Sequence, residues 1–142
     1  SDLTWLGTSG FGLNADIPQN WQGGQLPLPG ESIVFDGGVS NADCEWNLYY
    51  QNVGAFSMKG NYSGTVRLRG AFAPDDFNTI NASSHVSVLG GRLELGRNHQ
   101  INAQGKLTVR GVLDMGPDNA QLFVGPQGVL KRPGGSLFTW PR

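Results

Sequence analysis

Residues 80–88 read INASSHVSV, and residues 101–109 read INAQGKLTV, at a spacing of 21 positions. The segments that follow also match, GRLELG at 91–96 and GVLDMG at 111–116. A degraded third copy lies further along the chain, at Leu122, 128–130 (GVL) and 135–137 (GSL). A short period built from apolar and polar alternation and glycine breaks is typical of a repeat architecture whose units share one core.

Short strands dominate the chain, and no stretch sustains helical apolar spacing past two turns. In the segment 65–69, Val66 and Leu68 point to one face of a strand while the two arginines between and after them point to the other. Three further segments alternate in the same way, 92–95, 106–110 and 112–115. Glycines between these segments supply tight corners.

The fixed offset favours parallel stacking over hairpins, because antiparallel neighbours do not bring equivalent residues back at a constant step. The predicted apolar columns are Val66, Val86 and Leu107; Leu93 and Leu113; Ile80, Ile101 and Leu122; and, more faintly, Phe35, Phe56 and Phe77. The sequence therefore predicts an all-β, single-stranded parallel β-helix (a β-solenoid) of about five coils, each of about 21 residues and three short strands. The general crossover rule favours a right-handed coil.

The first 31 residues break this rhythm and are rich in Trp, Gly and Pro. A stack of strands exposes apolar core and unpaired backbone at its ends, so its end needs a cover. We therefore expect one domain over 1–142, with an N-terminal cap at 1–31 and the β-helix coils at 32–142.

A resemblance to a known class of protein rests on this leading segment. Trp5, a glycine-rich stretch, Asn20-Trp21, Leu26-Pro27, Pro29-Gly30 and the short strand Val34-Phe35 follow one another in order. This order, with the later Gly-x-Leu repeats, resembles bacterial secreted β-helix surface proteins of the autotransporter-passenger and adhesin type. The resemblance implies an exported, extracellular or cell-surface location and a structural or adhesive role, and it carries over no catalytic residue.

Composition excludes several function classes. The formal net charge is -1, from 10 Lys and Arg against 11 Asp and Glu, so no basic stripe favours nucleic acid. No apolar run approaches the ~20 residues of a membrane span. Cys44 is the only cysteine, which excludes an intrachain disulfide and a cysteine-rich metal site. A small buried hydrophobe is its expected role, and a disulfide between stacked subunits is the alternative.

Catalytic and metal-binding signals are weak. His85 and His99 are expected at the surface or at corners, and neither belongs to a zinc-site pattern. Asp75-Asp76 follows Pro74, which favours a turn over an acid–base pair. We predict no cofactor, no metal and no enzymatic activity, with a small polysaccharide-acting enzyme as the remaining alternative.

Aromatic residues offer better binding candidates, since they stack on sugar rings and anchor protein contacts. Trp46, Tyr49 and Tyr50 are the predicted glycan contacts. Asn61 and Asn81 match the N-glycosylation acceptor pattern, although Asn81 also sits in the repeat, where a ladder or turn role is the alternative.

The first functional expectation is a secreted structural protein, a subunit of a surface filament or stalk that self-associates head to tail. Backbone pairing across an open strand edge would continue the ladder between subunits. The predicted assembly residues are Leu137, Phe138, Trp140, Trp5 and Trp21, with closure of the core as the alternative role for these tryptophans. The second expectation is a carbohydrate- or host-binding adhesin module that uses exposed aromatics.

Overall fold

The computed structural model describes residues 2–48, 51–116 and 120–125, and the backbone of 130–131 and 137–139. It is nearly all β, with 45% strand and 3% helix. A single 3₁₀ turn, Pro18–Asn20, accompanies the strands of the described ranges. The strands are β1 (Asp2–Thr4), β2 (Ser32–Phe35), β3 (Cys44–Trp46), β4 (Asn52–Met58), β5 (Thr65–Leu68), β6 (Asn78–Val88), β7 (Arg92–Glu94), β8 (His99–Ala103), β9 (Lys106–Val109), β10 (Val112–Asp114), β11 (Gln121–Val124), β12 (Leu130–Lys131) and β13 (Leu137–Thr139).

The strands form two sheets. The first has the order β1-β2-β4-β6-β8-β11, with β9 pairing β6 and β12 pairing β9; the second has the order β13-β10-β7-β5-β3. All the pairings between these strands are parallel. From β2 to β8, successive strands alternate between the two sheets, so each connection crosses from one sheet to the other.

The prediction of a single-stranded β-helix with three strands per coil is wrong. The strands form two sheets of parallel strands and do not close into a β-solenoid. The first half of the long strand β6 pairs with β8 and its second half pairs with β9. Because both strands bond to the same continuous strand, they belong to one sheet, and the separate third face that the repeat suggested does not form.

Two of the predicted apolar columns are confirmed by the strand register. Ile80 aligns with Ile101, which aligns with Leu122. Leu93 aligns with Leu113 in the second sheet. Where the sequence repeat is clearest, equivalent residues of successive copies therefore lie next to each other on adjacent strands.

The other two columns are wrong in part. Val86 aligns with Leu107, but Val66 lies in the second sheet, between Cys44 and Leu93. The phenylalanine column fails because Phe56 aligns with Ile33 and Phe35 aligns with Met58. Phe77 precedes β6 and is 52% exposed.

The core lies between the two sheets and is filled by their inward side chains. The aromatic members lie toward the N-terminal strands, where Trp5 and Trp21 meet edge to face with ring centroids 5.0 Å apart. Full burial of each large apolar side chain stabilises the fold by about 1.5–3 kcal/mol. The largest buried side chains are Trp5, Trp21, Trp46, Tyr62, Phe35, Phe56, Ile33, Met58, Leu68, Ile80, Leu93 and Ile101.

The N-terminal segment covers the outer edge of the first sheet. Trp5 and Trp21 form an antiparallel bridge, and the Gln22 N–H donates to the Thr4 carbonyl at 3.0 Å. The two indole N–H groups donate to backbone carbonyls, Trp5 to Ala42 at 3.2 Å and Trp21 to Ala15 at 2.7 Å.

Both tryptophans are almost fully buried, Trp5 at 0% and Trp21 at 1% exposed. The prediction that they contact another subunit is therefore wrong, because their rings have no surface to offer. They close the core instead, which is the alternative that the sequence left open.

Gly105 lies where the backbone between β8 and β9 closely approaches the neighbouring strand β6. It lies between β8 and β9, beside the irregularity of β6 at Ser83 and Ser84, where two residues oppose the single Gly54 of β4. A Cβ atom at Gly105 would lie 2.0 Å from the Ser84 carbonyl oxygen. Only glycine fits there without a shift of backbone.

We expect Gly105→Ala to destabilise the protein by about 1–3 kcal/mol, because the added methyl group must displace a backbone carbonyl. The matched control is Gly60→Ala, since the nearest heavy atom to a Cβ at Gly60 is 4.0 Å away. Urea unfolding of both variants would check this, and equal midpoints for the two would contradict it.

Candidate functional site

The outward side of β6, β8 and β11 carries a regular array of uncharged side chains. Alternate residues of β6 and β8 are buried, so the residues between them point away from the core. The parallel register sets Gln100 between Thr79 and Gln121, and Asn102 between Asn81 and Phe123. We call this surface the amide face and define it as Phe77, Thr79, Asn81, Asn98, Gln100, Asn102, Gln121 and Phe123.

Hydrogen bonds between side chains hold several of these amides in place. The Asn81 Nδ2 group donates to Asn52 Oδ1 at 2.7 Å, and Gln104 Nε2 donates to Asn81 Oδ1 at 3.3 Å. On the neighbouring column, Gln100 Nε2 donates to Gln121 Oε1 at 3.2 Å. A primary amide has two N–H donors and an oxygen with two lone pairs, so each keeps further capacity for a ligand.

Two phenylalanines stand on this otherwise polar surface, Phe77 at 52% and Phe123 at 48% exposed. Phe77, Asn98, Gln100 and Gln121 line an open depression of about 450 Å³. That volume lies within the range of sites for small organic ligands. Because no member of the amide face is ionisable, the surface suits a neutral ligand with hydroxyl groups and a flat apolar side.

His99 lies directly under the amide face, between Asn98 and Gln100 in the chain. It is 1% exposed, so the expected surface position is wrong, whereas the expected corner position fits because His99 directly follows the turn at 97–98. The Gly96 N–H donates to His99 Nδ1 at 2.8 Å, and His99 Nε2 lies 3.1 Å from the Asp76 carbonyl oxygen. The ring is therefore the neutral Nε2–H tautomer, with Nε2 donating to that carbonyl.

This histidine joins the two turns that lead into the amide face. One bond fixes the turn before Gln100, and the other fixes the backbone next to Phe77. Asn98 completes the junction: it adopts a φ of 66°, and its Nδ2 donates to the Asp75 carbonyl at 3.2 Å. Burial lowers the pKa of His99, although the Asp76 carbonyl and the Asp75 charge oppose that shift.

The outward side of the second sheet differs completely, because it carries an ion-pair network. Arg67 bridges Glu45 at 3.0 Å and Glu94 at 2.8 Å, and Arg92 bridges Glu94 at 2.7 Å and also pairs with Asp114. Partial burial raises the pKa of Glu94, but the hydrogen bonds from the two arginines outweigh it and lower the pKa. The lowered pKa keeps the Glu94 carboxylate ionised, which suits a structural role and disfavours a role as general acid.

The predicted glycan contact at Trp46 is wrong. Trp46 is 1% exposed because it points into the core from β3, with its ring centroid 5.3 Å from that of Phe56. Tyr49 and Tyr50 lie outside the described residues, as does Trp140. Leu137 and Phe138 belong to β13, whose backbone alone is described.

The two predicted glycosylation sites have structural partners. Asn61 Oδ1 accepts from the Gly37 N–H at 3.0 Å, and Asn61 Nδ2 donates to Asp36 Oδ1 at 3.0 Å. Hydrogen bonds from the Gly38 N–H, Asn61 and Lys59 lower the pKa of Asp36. Asn81 has the ladder role that the repeat suggested, and glycosylation of either residue stays a prediction.

Cys44 is buried at 1% exposure and aligns with Val66 on the inner side of β3. Burial raises the pKa of its thiol, and the expected role as a small buried hydrophobe is confirmed. The alternative, a disulfide between subunits, is wrong because the thiol does not reach the surface. The described part of the chain contains no group of three His, Cys, Asp or Glu side chains that could hold a metal ion.

Asp75-Asp76 forms the expected turn. Asp76 Oδ2 accepts from the N–H groups of Phe72 and Ala73, both at 2.8 Å. Its carboxylate therefore organises the loop before β6. His85 lies on the outer side of β6, with Nδ1 3.0 Å from Ser84 Oγ.

Sequence reasoning missed the members of the amide face as binding residues. The signal was present, because Asn81 and Asn102 stand 21 positions apart, as do Gln100 and Gln121. Amide side chains at the repeat spacing on parallel strands form ladders.

Comparisons with family models, with curated proteins and with solved structures found no match to this chain. Within the described ranges, no helix is both long and apolar enough to cross a bilayer.

We expect stability to fall as the pH drops from about 6.5 through the lowered pKa of His99, since the unfolded chain binds a proton that the folded protein excludes. Urea unfolding between pH 7.5 and 5 would measure this. Asp36 and Glu94 do not confound that window, because the pKa of each carboxyl is lowered from its ordinary value and so lies further from the window.

His99→Gln should flatten this pH dependence, and the matched control His85→Gln should preserve it. The same slope in the native protein and in His99→Gln would contradict the assignment.

Proposed function

We propose that the protein is an extracellular carbohydrate-binding module that holds a neutral glycan on the amide face. The observation that carries the proposal is the pair of half-exposed phenylalanines flanking an uncharged array of amides. A pyranose ring presents C–H groups on its flat side and hydroxyl groups around its rim. Phenylalanine rings can pack against the C–H groups of the flat side, and amide donors and acceptors can form hydrogen bonds with the hydroxyl groups of the rim.

The absence of charge on the amide face sets the ligand class. Acidic glycans gain most from Lys and Arg, and the arginines of the second sheet are already paired with carboxylates. Neutral sugars instead depend on amide hydrogen bonds and on apolar contact.

An extracellular or cell-surface location is part of this proposal. It is supported by the low content of charged residues, 15%, and by the resemblance of the leading segment to exported surface proteins. A binding role without catalysis fits the amide face, which contains no ionisable group to act as a general acid or base.

Head-to-tail self-association into a filament or stalk stays a prediction and ranks second. The segment 20–22 lies along β1, and 13–15 lies along β3 through backbone bonds of Glu45 to Leu13 and of Ala15 to Glu45, each 2.9 Å. An incoming chain would have to displace both segments in order to pair with these two strands.

Phe123→Ala should weaken binding to a neutral glycan by about tenfold, or about 1.4 kcal/mol, because it removes the stacking surface. Gln100→Ala should cause a loss of similar size through its amide hydrogen bonds. A panel of neutral and acidic glycans would identify the ligand, and isothermal titration would then measure each variant.

The control is Phe72→Ala, since Phe72 is 99% exposed on a loop outside the amide face. It removes an equally large apolar group without touching the proposed site. Unchanged affinity in Phe123→Ala, or binding restricted to acidic glycans, would contradict the proposal.

A further inference from the structure

The two phenylalanines of the amide face lie far apart, because Phe77 directly precedes β6 whereas Phe123 lies on β11. Asn78 aligns with His99, the first residue of β8. Phe77 therefore lies beside Asn98, the residue that precedes β8. Phe123 aligns with Asn102, on the far side of β8. The two aromatic positions therefore differ by two strand spacings and by four residues along the strands, a separation of about 16 Å.

Gln100 stands at the middle of the line that joins them. It lies on β8, the strand between β6 and β11, and it is two residues from both Asn98 and Asn102. Its Nε2 donates to Gln121 Oε1, which fixes the direction of the side chain. The amide face thus presents an aromatic ring, an oriented amide and a second aromatic ring along one diagonal.

A single sugar cannot reach both rings. The separation of about 16 Å that follows from strand geometry is several times the length of one pyranose unit, so a ligand that touches both rings is an oligosaccharide. Gln100 and Phe123 stand on hydrogen-bonded strands and Phe77 directly precedes β6, so the backbone sets the line that these three positions define before binding. A ligand that follows it must be straight.

We infer that the ligand is an extended, linear, uncharged polysaccharide, bound diagonally across the amide face from Phe77 through Gln100 to Phe123. This inference rests on the proposed function and narrows it to one class of glycan. Flat ribbons of β-1,4-linked pyranoses have this form, whereas α-1,4-linked chains coil. Occupation of the first aromatic position raises the effective concentration of the chain at the second, so affinity grows with length.

The test uses isothermal titration of the whole protein with two series of one to six units. Cello-, manno- and chito-oligosaccharides form the extended series, and malto-oligosaccharides form the coiled series. We expect the affinity for an extended oligomer to rise by at least about tenfold between two and four units and then to level off. From three units upward, malto-oligosaccharides should bind at least about tenfold more weakly than the extended oligomers of the same length.

Phe77→Ala and Phe123→Ala should each remove the gain with length and leave the affinity for the disaccharide within about threefold. Phe72→Ala is the matched control and should retain the full gain. Circular dichroism spectra identical to that of the native protein would show that each variant is folded.

The possible failures are distinct. If a monosaccharide binds as tightly as a tetrasaccharide, if the coiled series binds better, or if Phe77→Ala keeps the length dependence, the diagonal is wrong while glycan binding stands. If no member of the full glycan panel binds, the proposed function itself is wrong.

Discussion

In-register stacking of parallel strands is the constraint on which the rest of the structure depends. Each strand sets its side chains beside the equivalent side chains of its neighbours, so chemistry repeated in the sequence becomes chemistry aligned in space. Ile101 lies between Ile80 and Leu122 on the inner side, while Gln100 lies between Thr79 and Gln121 on the outer side. One register therefore builds both the core and the amide face.

Stacking makes different demands on the two outer surfaces. Like charges directly opposite each other repel, so Arg67 stands between Glu45 and Glu94 in the second sheet. Glu94 aligns with Asp114, and this acidic pair is tolerated because Arg92 bonds to both. A primary amide carries both a hydrogen-bond donor and an acceptor, so amide side chains can stack on neighbouring strands without alternating between two kinds of residue. The charged surface is thus satisfied within the molecule, while the amide face keeps capacity for a ligand.

Several features of the fold were predictable from the sequence because they depend on local pattern and on the repeat. The strands around Val66, Leu93 and Leu107 follow from period-two alternation, and the alignment of Ile80 with Ile101 follows from the 21-residue spacing. The assignment of strands to sheets was not predictable in this way. It depends on β6 continuing without a break through Ser83 and Ser84, because that single strand then pairs with both β8 and β9. The spacing of apolar residues does not show whether a strand continues or ends at such a point.

The candidate site was harder to predict, because it depends on which alternate residues face outward. Trp46 was predicted to contact a glycan because tryptophan often stacks on sugar rings. In β3, however, Trp46 and Cys44 both point into the core, and Glu45 between them points outward. Phe77 was predicted to belong to an apolar core column and Phe123 was not singled out, and their exposure and the strand register show that they share a surface. The amide spacing was visible in the sequence, but its meaning required the parallel alignment.

The parallel topology also has a kinetic consequence. Each strand pair joins segments about 20 or more residues apart, and the described chain offers no hairpin from which ordering could start. The chain loses the entropy of closing a long loop before the first strand pair contributes any stabilising contacts. Proteins with such nonlocal topologies therefore fold slowly. Once two strands are aligned, however, their free edge is a template for the next, so nucleation rather than growth sets the pace.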